Sequence, residues 1–81
     1  MVNRISLVNM VAGQTGRIVQ IDGGYGMMCK LDALGIRVGK QVHKVSGQPM
    51  GGPVIISQGG TQVALGFGMA RRIWVEIERP E

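Results

Sequence analysis

The chain has little of what chemistry usually needs. Its 81 residues include one cysteine, Cys29, and one histidine, His43. A single cysteine excludes an intrachain disulfide, which fits a reducing compartment and leaves the fold to packing. A histidine-based triad would have to gather a nucleophile and a carboxylate around His43. Cys29 is the only thiol, and it falls within an apolar helical pattern beside Met27, Met28 and Lys30, where a packing or surface role explains it better. As a metal site, Cys29, Asp32 and His43 are dissimilar ligands without signature spacing, whereas structural zinc sites bring four in recognisable pairs. No catalytic, cofactor-binding or metal-ligating residue is assigned, and the chain is read as a non-enzyme.

Other shortages narrow the class further. There are three aromatics, Tyr25, Phe67 and Trp74, too few for a surface that stacks bases. Nine basic side chains against five acidic ones give a net charge of +4. The basic residues are scattered, with Arg71-Arg72 the one adjacent pair, which describes a solvated surface rather than a stripe that follows phosphates. No run approaches the ~20 apolar residues that a bilayer requires. The candidate from Ile5 to Ala12 is broken by Ser6 and Asn9, and it lacks the features of a signal peptide. The expectation is a soluble, unprocessed, cytoplasmic protein with no membrane span.

What the chain has in plenty is glycine, 14 in all, without the period of collagen. That content points to many tight turns around short elements. The length suits one domain, residues 1–81, with one small core, and a core so small leaves room for self-association. We see no internal repeat and no linker.

The organising stretch runs from Gly24 to Val42. Met27, Leu31 and Leu34 recur at helical spacing and Met28 widens that apolar face, so a short helix is expected over about 25–34. Gly35 ends it, because glycine takes a left-handed conformation freely. The run Gly35 to Gln41 resembles a phosphate-binding loop, but it is one residue short between its glycines, and Gln41 stands where Ser or Thr would hold magnesium. A glycine turn between helix and strand explains it better. Gly23-Gly24-Tyr25-Gly26 precedes a helix as an anion loop does, although no βαβ unit surrounds it.

Around this helix the chain reads as short strands. Met1 to Ala12 suggests a helical turn capped by Ser6 and ended near Gly13. Gly13 to Ile21 is the first strand, with Arg17, Val19 and Ile21 on one face and Ile18 and Gln20 on the other. Val42 and Val45 differ in parity, so the strand opening near Gln41 needs a bulge or leaves one of them half covered. Ser46 to Gly52 is a loop, and Pro53 opens a strand with Val54 and Ile56 facing one way. Gln58-Gly59-Gly60-Thr61 is a hairpin turn into Val63 and Leu65. Gly66 to Ala70 makes one helical or 3₁₀ turn. Ile73, Val75 and Ile77 then alternate with Trp74, Glu76 and Glu78, which places Trp74 on the polar side of a half-buried strand that ends at Pro80. These elements predict a mainly β fold: a small SH3-like β-barrel of about five strands with one inserted helix and short terminal helical turns.

Three stretches, GQTGRIVQIDGG (13–24), KLDALGIRVGKQV (30–42) and PMGGPVII (49–56) with VALGFGMARRIWV (63–75), together resemble the FeoA family, cytosolic companions of the ferrous iron transporter FeoB. Leu31, Leu34, Gly35, Gly39, Gly51, Gly52, Pro53 and Ala70 match its fold-determining positions. Val38 stands where the family usually has proline, and Gly66-Phe67-Gly68 replaces a more helix-favouring stretch. The resemblance implies an accessory protein of Fe²⁺ import that binds the cytosolic part of FeoB and has no cofactor. Similar domains end some iron-dependent repressors, so a regulatory module is an alternative implication. Gly13 to Ile21 also looks like the KOW motif of RNA-binding SH3-like barrels, although no basic cluster accompanies it and no nucleic-acid partner is expected. The residues expected at a partner contact are Tyr25, Met28 and Cys29 from the helix, Met50 from the 46–52 loop, and Trp74.

Overall fold

A computed structural model describes residues 2–47 and 51–78. Six strands form one antiparallel sheet: β1 (Val2–Ser6), β2 (Thr15–Ile21), β3 (Gln41–Gly47), β4 (Val54–Gln58), β5 (Thr61–Leu65) and β6 (Ile73–Glu78). Their order is β1-β6-β2-β3-β4-β5. Helix α1 (Tyr25–Ala33) joins β2 to β3, and the one-turn helix α2 (Phe67–Ala70) joins β5 to β6.

The six strands share one core. Ile18 of β2, Val42 of β3, Val54 and Ile56 of β4, Leu65 of β5, and Ile73, Val75 and Ile77 of β6 all belong to a single buried cluster. Laid flat, such a sheet would set β5 about 19 Å from β6, too far for their side chains to meet. The sheet therefore curls around its own apolar face, which is the mainly β, SH3-like architecture the sequence predicts. Leu31 and Ile36 close the core from the helical side.

The first element corrects the sequence reading. Residues 2–6 are a strand paired along its length with β6, from Val2 opposite Glu78 to Ser6 opposite Trp74, and the helical turn is confined to a 3₁₀ turn at Leu7–Asn9. This strand brings the number to six. Ser6 does not cap with its side chain; its Oγ instead donates to the carbonyl of Arg71 at 3.0 Å. Pairing with β6 outweighs a local pattern too short to hold a helix.

Two bulges correct the faces. In β2 the buried residues are Gly16 and Ile18, and the register against β6 shifts between Ile18 and Gln20. Val19 is the extra residue, so parity reverses beyond it and Ile21 turns towards the core. In β3 the register against β4 shifts between Lys44 and Ser46, which leaves Val42 buried and Val45 exposed. The hairpin between β4 and β5 forms as expected, with Gln58 opposite Thr61 and positive φ at Gly59 and Gly60, the two-residue turn whose twist matches the strands.

Helix α1 buries a narrower face than its periodicity predicts. Leu31 is fully buried and Met27 packs on the core, but Met28 and Leu34 are exposed. The reason is the way the helix stops. Gly35, at φ +82°, donates from its N–H to Asp32 O at 2.9 Å, and Ile36 donates to Leu31 O at 2.9 Å. This double return bond ends the helix and folds Ile36 back beside Leu31 in the core, taking the place Leu34 would have filled. Gln58 Nε2 of β4 donates to the carbonyl of Gly35 at 2.6 Å and ties the helix end to the sheet.

One buried side chain escaped the pattern. Lys44 shares the inward face of β3 with Val42 and is only 4% exposed. Its ammonium reaches under the N-terminal 3₁₀ turn and donates to the carbonyls of Leu7 and Val8 at 3.3 and 3.1 Å. Burial pushes its pKa below the ordinary lysine value of 10.5.

Two stability measurements check these contacts. Gly35→Ala, forced to positive φ, is expected to lower unfolding free energy by about 1–3 kcal/mol in urea titrations. A lysine whose pKa is lowered on folding penalises the folded state while charged, and the penalty fades as pH rises towards the unfolded value. The wild type is therefore expected to gain stability relative to Lys44→Met between pH 7 and the region just below 10.5, read as a change in the difference between their urea midpoints.

Candidate protein-docking site

The outward side of α1 follows from its inward one. With Met27 and Leu31 turned to the core, Tyr25, Met28, Cys29 and Asp32 fall at i, i+3, i+4 and i+7 on the opposite side. Tyr25 is 86% exposed and Met28 39% exposed, and Cys29 is an exposed free thiol. The glycine-stopped turn then sends the chain back along the helix. Residues 36–38 form the far wall of a groove of about 380 Å³ whose near wall is Met28, Cys29 and Asp32. An ion pair between Arg37 Nε and Asp32 Oδ1 bridges the two walls at the rim. Both partners are more than half exposed, so the pair contributes little stability. Val38, 57% exposed, adds apolar surface. The groove is thus an apolar strip with a charged edge.

Of the residues expected at a partner contact, the structure brings Met28 and Cys29 into this groove and sets Tyr25 one turn up the same helix face. Met50 lies outside the described residues. Trp74 sits elsewhere, in a shallow hollow with Arg4, Gln20 and Asp22. It is half-buried, and its indole N–H donates to Asp22 Oδ2 at 2.8 Å. Val38 and the Asp32–Arg37 pair were not anticipated. Asp32 was legible as the next position on Tyr25's helical face, but the loop's return path was not.

The groups that sequence reasoning weighed for chemistry, His43, Cys29 and Asp32, are not all brought together. His43 Nδ1 lies 3.0 Å from Thr15 Oγ1 across β2 and β3, away from Cys29 and Asp32. Among the described residues, no three of His, Cys, Asp and Glu are placed to hold a metal ion. No helix is long and apolar enough to cross a membrane among those residues.

Asp22 has a distinctive environment. Gln20 Nε2 donates to its Oδ1 at 2.6 Å and Trp74 to its Oδ2, and these bonds, the first above all, hold its carboxyl below the ordinary value of 3.8. A carboxylate lowered in this way stabilises the fold above its unfolded pKa and loses that contribution as pH falls through the folded one. Trp74 is the only tryptophan and reports the bond directly. Its fluorescence is expected to titrate with a midpoint below 3.8 while far-UV circular dichroism stays native, and Asp22→Asn should abolish that step.

Comparison with known proteins fits this geometry. The family model for the FeoA domain matches residues 5–77. A protein of Methanocaldococcus jannaschii named "Putative Fe(2+) transport protein A" is 39% identical over 64 residues, covering 79% of this chain and 76% of its own. Among solved structures, a crystal structure of an iron uptake regulatory protein (FeoA) is 36% identical, covers 90% of this chain and 96% of its own, and superposes with a TM-score of 0.84. A manganese-dependent transcriptional repressor superposes at 0.85 with 20% identity, over 96% of this chain but 44% of its own, and shows the fold alone. With the family model spanning all but the ends and the sheet matching a FeoA structure along its length, the chain belongs to the FeoA family.

Proposed function

We propose that this chain is a non-enzymatic, cytoplasmic accessory protein of ferrous iron import. It docks on the cytosolic region of a FeoB-type GTPase transporter and shifts that protein's conformational populations by binding one state more tightly. Family membership supports the import role, since one relative is named for Fe(2+) transport and another for iron uptake regulation. The observation that carries docking is the outer face of α1, where Tyr25, Met28 and Cys29 stand exposed beside an apolar groove that no described element covers. An exposed aromatic side chain and an adaptable methionine on a helix that is anchored to a core offer a partner surface to grip. Trp74 contributes chiefly by tying the end of β2, just before α1, to β6.

Binding to an immobilised FeoB cytosolic region tests the reading. Met28→Asp is expected to weaken binding at least about 30-fold, the scale of a hot-spot residue, while the melting temperature stays near that of the wild type. Binding that ignores Met28→Asp would overturn the docking face. Unchanged Fe²⁺ uptake after deletion of the gene would overturn the import role.

A further inference from the structure

The flank of α1 that faces away from the Met28 groove borders a second hollow. This is a cleft of about 480 Å³ between α1 and α2, with Gly26, Met27 and Lys30 on one wall and Gly68, Met69 and Arg72 on the other. Both helices open with the same pattern, Gly24-Tyr25-Gly26-Met27 and Gly66-Phe67-Gly68-Met69, a recurrence too short to register as an internal repeat. In each, the first glycine is the N-cap, the aromatic is exposed, and the methionine packs on the core. The second glycine of each lines the cleft.

Nothing among the described residues demands those two glycines. Neither Gly26 nor Gly68 has positive φ, and a Cβ built on either meets nothing within 4 Å. Glycine within a helix is less favourable than alanine, so the fold gains nothing by having it there. What the two glycines provide is bare backbone on opposite walls of one cleft. The charge around it has one sign. Lys30 and Arg72 are exposed, no carboxylate shares the lining, and neither has an ion-pair partner among the described residues. The apolar surface comes from methionines, which adapt to varied side chains.

We propose that the cleft between α1 and α2 docks an acidic, partly apolar peptide segment of a partner protein. Its carboxylates meet Lys30 and Arg72, its apolar side chains rest on Met27 and Met69, and its backbone approaches Gly26 and Gly68. A two-walled cleft favours a chain segment over an anionic bilayer, whose flat surface cannot reach the methionines. This goes beyond the reading above, because it concerns the other flank of α1 and does not require the partner to be FeoB.

The test is a titration of the ¹⁵N-labelled full chain with a short peptide alternating glutamate and leucine, with its glutamine counterpart, and with phosphatidylserine vesicles. The glutamate peptide is expected to shift the amide signals of Gly26 and Gly68 and to bind more tightly than the glutamine peptide. Lys30→Glu and Arg72→Glu should remove that preference. Gly26→Ala and Gly68→Ala should leave the melting temperature unchanged or raise it by up to about 5 °C, yet weaken peptide binding at least about fivefold. The proposal is overturned by equal binding of the two peptides, by shifts confined to other residues, by glycine variants that bind like the wild type, by vesicle binding without peptide binding, or by no binding at millimolar peptide. Because Met28→Asp reads the opposite flank, failure here is distinguishable from failure of the FeoB interaction.

Discussion

The structure depends on how one helix is stopped. A small curled sheet leaves part of its core open, and α1, the longest of the described helices, covers one side of it. Its hold on the core is slender, with Leu31 deeply buried and Met27 beside it. The turn at Gly35 doubles that hold by folding Ile36 back against the position of Leu31, with two backbone bonds running to the carbonyls of Leu31 and Asp32 in the last turn. Gln58 then anchors the carbonyl of the same glycine to the hairpin strand β4. Helix, turn and sheet are fastened at one point.

That fastening also shapes the surface. Because the chain doubles back after Gly35, Arg37 and Val38 run alongside the helix, and a groove opens between them and Met28. Because so little of the helix is needed for the core, Tyr25, Met28 and Cys29 are free to face outward. A longer helix with a wide apolar face would cover the core more firmly and leave less surface for a partner. The economy that makes the domain small is what leaves this helix face open.

Much of this was legible in the residues, and the failures have identifiable causes. Alternation in Ile73, Val75 and Ile77 and the paired glycines at 59 and 60 are local signals, and the fold follows them. Gly35 as a helix stop was equally readable, because left-handed backbone favours glycine. The first strand was not, since residues 2–6 acquire their conformation from β6, more than 60 residues away in sequence. The bulges at Val19 and Val45 reverse parity, so strict alternation assigned wrong faces in β2 and left β3 undecided. Lys44 was invisible because a lysine is expected outside; it is drawn in by two carbonyls of the 3₁₀ turn. The helix period placed Tyr25, Met28 and Cys29 on one outer face, but only the tertiary path of the loop brings Val38 beside Met28, and Trp74 lies in a different hollow.

The pairing of β1 with β6 has an architectural consequence. Val2 lies opposite Glu78, so the two ends of the described chain leave the sheet side by side. A polypeptide can therefore enter and exit this unit through one doorway, without threading around it or disturbing its interior. Such a unit can be appended to, or carried within, a much longer protein while keeping its shape. That accounts physically for the same fold occupying less than half of a repressor's length and nearly all of a free-standing FeoA chain.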